Sequence, residues 1–295
     1  MRISTAGMNN QMIGQALRVQ TSYTEALQRQ SSGLKSASLS GLDGNAGAAA
    51  GLTADIARSE KLSGIADAAA SELEIAYSAV DSITDQVNGM LTDIAAAISG
   101  SADATTLSTL QSSASDAFTD VVALLNTQYA DTYVFSGGAT ATQPVDASLY
   151  DAADPTAYYQ GSDSLRSVML DGGASIAFGV TADADAFSDT LEALNLLVST
   201  SPLDTATMQQ AYDLLSGAVS DLGTMMERLS GQTDKLDAVV DAQTDFQLYA
   251  GEMLDSLTTV DVATASAEAS QREVLLEASF ATLSSLKSVS VLDYL

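Results

Sequence analysis

The sequence predicts a mainly α fold: an elongated, nested helical bundle with coiled-coil helices at both termini and a small β-rich central domain. Three observations carry this. Apolar residues recur at steps of three and four near both ends, and the same spacing fills long stretches between them. It lapses over residues 133–182, where β-prone and turn residues take its place.

Near the start, Met12, Ala16, Val19, Tyr23 and Ala26 form one stripe, on a helix expected to begin after Ser4 or Thr5 and to stop at Gly33. Residues 33–51 are rich in small side chains and read as a turn-rich connection. Leu62, Ala66, Ala69, Leu73, Ala76, Val80, Ile83, Val87, Met90, Ile94 and Ala97 then fill consecutive seam positions, which predicts a long helix. Gly100 and a Ser101–Asp103 cap separate it from a third helix through Leu107, Leu110, Ala114, Ala117, Val121 and Leu124.

Within the central segment, Tyr133-Val134-Phe135, Tyr158-Tyr159 and Val168-Met169-Leu170 are β-prone. Asp171-Gly172 before Ile176-Ala177-Phe178 signals a hairpin. Helical spacing resumes at Phe187, Leu191, Leu194 and Val198. Pro202 interrupts it, Asp204 can cap the next helix, and Leu215, Val219, Leu222, Met226, Leu229, Leu236 and Val240 carry the stripe on. The last helix holds Val262, Ala265, Ala269, Leu276, Leu283 and Leu286 on a similar grid, with Phe280 beside it. The chain therefore divides into terminal helices (1–42 and 255–295), a bundle (43–132 and 183–254) and an outer β-rich insertion (133–182).

Composition narrows the function. Acidic side chains number 38 against 11 basic ones, a formal charge of −27, which disfavours nucleic acid and anionic membrane partners. Residues 1–61 instead carry six basic and four acidic side chains, whereas fourteen acids and no cation lie between Lys61 and Arg166. Near-neutral ends suit packing inside an assembly, and an acidic middle suits water. Cysteine and histidine are absent, so no thiolate or imidazole metal site is expected, and no cofactor. The first twelve residues lack the apolar core of a secretory leader. The longest apolar runs, Ile94–Ile98 and Val121–Leu125, are too short to span a bilayer.

Other constellations read as structural. Glu72 with Glu74, and Asp81 with Asp85, fit solvated helix faces better than an acid–base pair, because no nucleophile accompanies them. Asp43-Gly44-Asn45 shares part of a calcium loop but lacks its remaining ligands, and reads as a turn. No enzymatic activity is expected.

Short motifs add a resemblance. Met1-Arg2-Ile3-Ser4-Thr5, Gln30-Ser31-Ser32-Gly33-Leu34-Lys35, Tyr133-Val134-Phe135-Ser136-Gly137 with Tyr159-Gln160-Gly161, Val260-Asp261-Val262-Ala263 and the closing Val291-Leu292-Asp293-Tyr294-Leu295 occur in order. Together they resemble the flagellin-like axial proteins of the bacterial flagellum, and among them the hook-associated protein 3 family, the distal junction between hook and filament. One departure is that Asp43-Gly44-Asn45 stands where that family carries an Asp-Asp-Pro turn.

The resemblance implies a flagellin-like fold and an extracellular, structural subunit, exported by the flagellar type III route without a cleaved signal peptide. It implies as partners further copies of the chain, the proximal junction protein, flagellin and an export chaperone. The expected subunit interface is the set of terminal stripe residues, Met12 to Ala26 and Val262 to Leu286. A minor flagellin that polymerises by itself is one alternative; a secreted helical adhesin or ligand-binding module is another.

Overall fold

Every one of the seam residues from Leu62 to Ala97 is buried, and one unbroken helix carries them all. The computed structural model describes residues 2–100 and 103–288. The expected cap residue Ser101 and the closing motif Val291–Leu295 lie outside the described residues, as does the side chain of Leu286.

In chain order the elements are α1 (Arg2–Ser32), a 3₁₀ helix (Leu39–Asn45), α2 (Ala46–Ser99), α3 (Ala104–Leu125), β1 (Gln128–Tyr129) and β2 (Thr132–Tyr133). A short 3₁₀ helix (Ala147–Leu149) precedes β3 (Arg166–Met169) and β4 (Ser175–Phe178). Then come α4 (Asp185–Ser199), α5 (Thr205–Thr258) and α6 (Val262–Ser288). Two compact units result, one of residues 61–244 and one of residues 1–60 with 245–295.

The larger unit is built around one apolar core. It joins the inner stripes of its helices, Leu110 and Val121 of α3, Leu191 and Leu194 of α4, Leu215 and Leu222 of α5, to Phe135, Tyr158, Val168 and Phe178 of the central segment. Phe135 meets Phe187 edge to face, with ring centroids 5.7 Å apart. Asp103 caps α3 by accepting the Thr106 amide at 2.8 Å, and Asp204 does the same for the Thr207 amide at the start of α5. Gln111 donates to the carbonyls of Leu197 and Thr200, satisfying acceptors at the end of α4.

Of the expected strands, the hairpin through Asp171-Gly172 forms as an antiparallel pair in which Arg166 faces Phe178 and Met169 faces Ser175. The other two differ. Only Thr132–Tyr133 pairs, with Gln128–Tyr129, while Val134 and Phe135 enter the core; Tyr159 makes a single bridge to Val145. The backbone there bonds into turns instead. Gly137 adopts φ +61°, and a Cβ on it would strike the Ser162 carbonyl. The Tyr133–Gly137 and Tyr159–Gly161 motifs are thus brought together, held where Ser162 donates its amide to the Ser136 carbonyl and Tyr158 its hydroxyl to the Ala182 carbonyl.

Glu72 is a further correction. It is buried rather than solvated, and its carboxylate pairs with Arg166, whose guanidinium lies 5.1 Å from the centre of the Phe178 ring. A carboxylate beside small helix residues looks exposed in a linear sequence; its cation comes from a strand far along the chain.

Helix bounds shift as well. The first helix starts at Arg2, with Ser4 and Thr5 inside it, and Gly33 ends it at φ +70° as expected. The alanines after Ala46 extend α2 well ahead of Leu62. Asp43-Gly44-Asn45 closes the 3₁₀ helix. The fifth helix continues past Val240 to Thr258, so the final corner falls at Thr259–Asp261.

Candidate assembly interface

Within the unit of residues 1–60 and 245–295, α1 and α6 pack closely as an antiparallel pair. The register is fixed at their shared end. Gly33 accepts the Val260 amide, Lys35 donates its amide to the Thr258 carbonyl, and Leu34 bridges to Thr259. Further along, Arg29 sits 4.0 Å from Glu268, and Arg272 donates to the Ser22 hydroxyl.

The corner is built from the residues the sequence motifs singled out. The Lys35 ammonium donates to the carbonyls of Ser256 at 2.6 Å and Leu257 at 3.1 Å, satisfying acceptors left free where α5 ends. Placing a cation at a helix C-terminus also complements its dipole. Asp261 caps α6: its carboxylate accepts the Thr264 hydroxyl at 3.0 Å and the Ala263 amide at 3.2 Å, and these bonds hold it below the ordinary aspartate range.

The stripes predicted from the sequence lie as follows. Ala16 and Ala26 of α1 and Ala265 and Ala269 of α6 are buried. Met12, Val19, Tyr23, Leu276 and Leu283 are half-buried, whereas Val262 and Phe280 are exposed. Buried alanines leave no bulk between the backbones, which is how the two helices come so close.

A second set went unread. Ile13, Leu17 and Leu27 of α1 are exposed, Leu17 at 57%. With Gln20 and Thr24 they stand at steps of four, three, four and three, a stripe beside the buried one. The two polar members masked it, yet the spacing was there to be found. On α6, Val274, Leu275 and Phe280 are exposed, Val274 at 64%. On α5, Phe246, Tyr249 and Met253 repeat at steps of three and four and are exposed too. The same segment buries Ala250 and donates from Gln247 to the Ser59 hydroxyl of α2 at 3.1 Å. Large apolar groups thus stand exposed on three helices of one unit, and such groups, where they gather into a patch, mark association.

Charge sharpens the contrast. Residues 61–244 carry 26 acidic and 4 basic side chains, a net −22; the remaining residues carry 12 and 7, a net −5. Copies can approach through the second group with far less repulsion. Among the described residues no helix is long and apolar enough to cross a membrane.

Residues 205–295, which contain α5 and α6, match the family described as the bacterial flagellin C-terminal helical region. The fold resembles that of a solved Vibrio parahaemolyticus protein described as a flagellar hook-associated protein, at a TM-score of 0.59 and 16% identity. The match covers 72% of this chain and 96% of that one. Bacillus cereus FlgL aligns at a TM-score of 0.46 and 15% identity, over 71% of this chain and 96% of its own. No curated protein matches the chain.

Proposed function

We propose that this chain is a structural, non-catalytic subunit of the bacterial flagellum, acting as the distal junction protein (hook-associated protein 3) between hook and filament. The observation that carries the reading is the paired terminal helices, whose large apolar side chains Ile13, Leu17, Val274 and Phe280 are left exposed in the single chain. In water such a pair is marginal, since helix stability comes mostly from burying an apolar face. Neighbouring copies supply that burial at roughly 25 cal/mol per Å² of apolar surface. Ordering of the ends and assembly are thereby coupled. The flagellin-like C-terminal match and the central Tyr133–Gly137 motif support the flagellar assignment.

In this reading the terminal helices carry axial assembly and bind the proximal junction protein, flagellin and further copies, with an export chaperone guarding the C-terminal helix beforehand. The acidic remainder forms the bundle and outer domain. The site of action in this reading is extracellular, on the flagellum.

Deletion of the gene tests the role. Cells with intact hooks that shed flagellin into the medium support the junction reading; filaments that still assemble overturn it. A truncation lacking the last twenty residues is expected to stay soluble and fail to restore swimming. Purified protein that grows long filaments without a seed would instead identify a minor flagellin.

A further inference from the structure

Resting on the self-assembly reading above, we infer that the outer stripe of α1 from one copy docks on the exposed α5 stripe of a second copy. Two independent features of the same unit match. The first is spacing. Ile13, Leu17 and Leu27 lie along one face of α1, and Phe246, Tyr249 and Met253 along one face of α5, both at coiled-coil steps and both exposed.

The second is charge. The first helix carries Arg2, Arg18 and Arg29 against Glu25 alone, a net +2, and no other of the six described helices is net positive. The exposed end of α5, residues 245–258, carries Asp245, Glu252 and Asp255 with no cation. Asp245 and Glu252, seven residues apart, flank the Phe246–Tyr249–Met253 stripe on one side. Arg18 flanks the α1 stripe, is exposed, and has no ion-pair partner among the described residues. Complementary charge beside an apolar seam sets partner choice and register in helical pairs.

The occupant is a second copy rather than this chain's own α1, whose inner face is already committed to α6. A contact from α1 of one copy to α5 of the next joins different surfaces, and when it repeats head to tail it builds a chain or a ring of copies. Phe246, Tyr249 and Met253 otherwise stand exposed to water, in the less acidic of the two units.

The absence of cysteine makes the test direct. In the full chain, Gln20→Cys and Met253→Cys place one thiol in each stripe, and a bifunctional maleimide spanning about two helical turns reports proximity. At concentrations where the wild type oligomerises, the doubly substituted protein is expected to yield a ladder of covalent oligomers, and each single variant no ladder. Adding Arg18→Glu is expected to lower the ladder yield about tenfold, and Glu252→Lys to restore it. Oligomerisation of the wild type with no ladder overturns the α1–α5 pairing while leaving self-assembly standing. Dimers from Gln20→Cys alone overturn it in favour of α1–α1 contact. A wild type that stays monomeric at every concentration overturns both readings.

Discussion

Arg166 and Glu72 form an ion pair that joins the β3–β4 hairpin to α2, with Glu72 itself buried. Arg166 also covers the Phe178 ring across the hairpin, and burial lowers its pKa. Removing one partner of such a pair strands the other charge in the core. Arg166→Met is expected to cost about 3 kcal/mol, and Glu72→Leu in the same chain to recover most of it, as read by denaturant unfolding. A single variant as stable as the double would show that the pair contributes nothing.

The buried alanines set the α1–α6 spacing. Ala269→Leu inserts three carbons where the two helices approach closely, at an expected cost of about 1–3 kcal/mol to the pair. Limited proteolysis is expected to cut α1 and α6 faster in this variant, with the core of residues 61–244 surviving unchanged. Leu17→Ser on the exposed stripe should leave the isolated chain's stability within about 0.5 kcal/mol while reducing its assembly.

Acid acts in two opposed directions. Asp103 and Asp204 accept backbone amides of Thr106 and Thr207, and Asp261 the Thr264 hydroxyl, so all three sit below the ordinary aspartate range. Groups depressed on folding stabilise above the unfolded value and lose that contribution as pH falls through the folded one. Asp189 is raised by burial and then by Glu192, Asp185 and Asp221, so its charge opposes folding at neutral pH and protonation relieves it. The melting temperature is therefore expected to hold or rise slightly as pH drops towards 4, then fall below it. Asp189→Asn should remove the rise, and Asp204→Asn, which still caps, should soften the fall.

Gly137→Ala places a methyl group against the Ser162 carbonyl at a left-handed residue. It is expected to cost at least 1–2 kcal/mol, roughly the left-handed penalty alone. Near-ultraviolet circular dichroism of the tyrosines around this turn is the readout; an unchanged spectrum and stability would contradict the role given to the turn.

What could be read in advance follows from locality. The seam from Leu62 to Ala97, the Asp103 and Asp204 caps, the Gly33 stop and the Asp171-Gly172 hairpin all depend on neighbours within a few residues, and the chain displays them openly. Burial of Glu72 depends on Arg166 and could not be seen until both were placed. The terminal stripes show the same limit. Spacing marked Ala16, Ala26, Ala265 and Ala269 as seam residues, but it could not say that the sister helix of the same chain covers them. Ile13 and Leu17 belong to a stripe interrupted by Gln20 and Thr24, which hides it from a purely apolar spacing.

Amide hydrogen exchange on α1 and α6, measured in dilute subunit and in assembled oligomer, probes the coupling of order to assembly most directly. The expected result is rapid exchange along both helices in the dilute subunit and strong protection after assembly, with the core of residues 61–244 protected in both. Equal protection of α1 and α6 in the two states, independent of concentration, would contradict it.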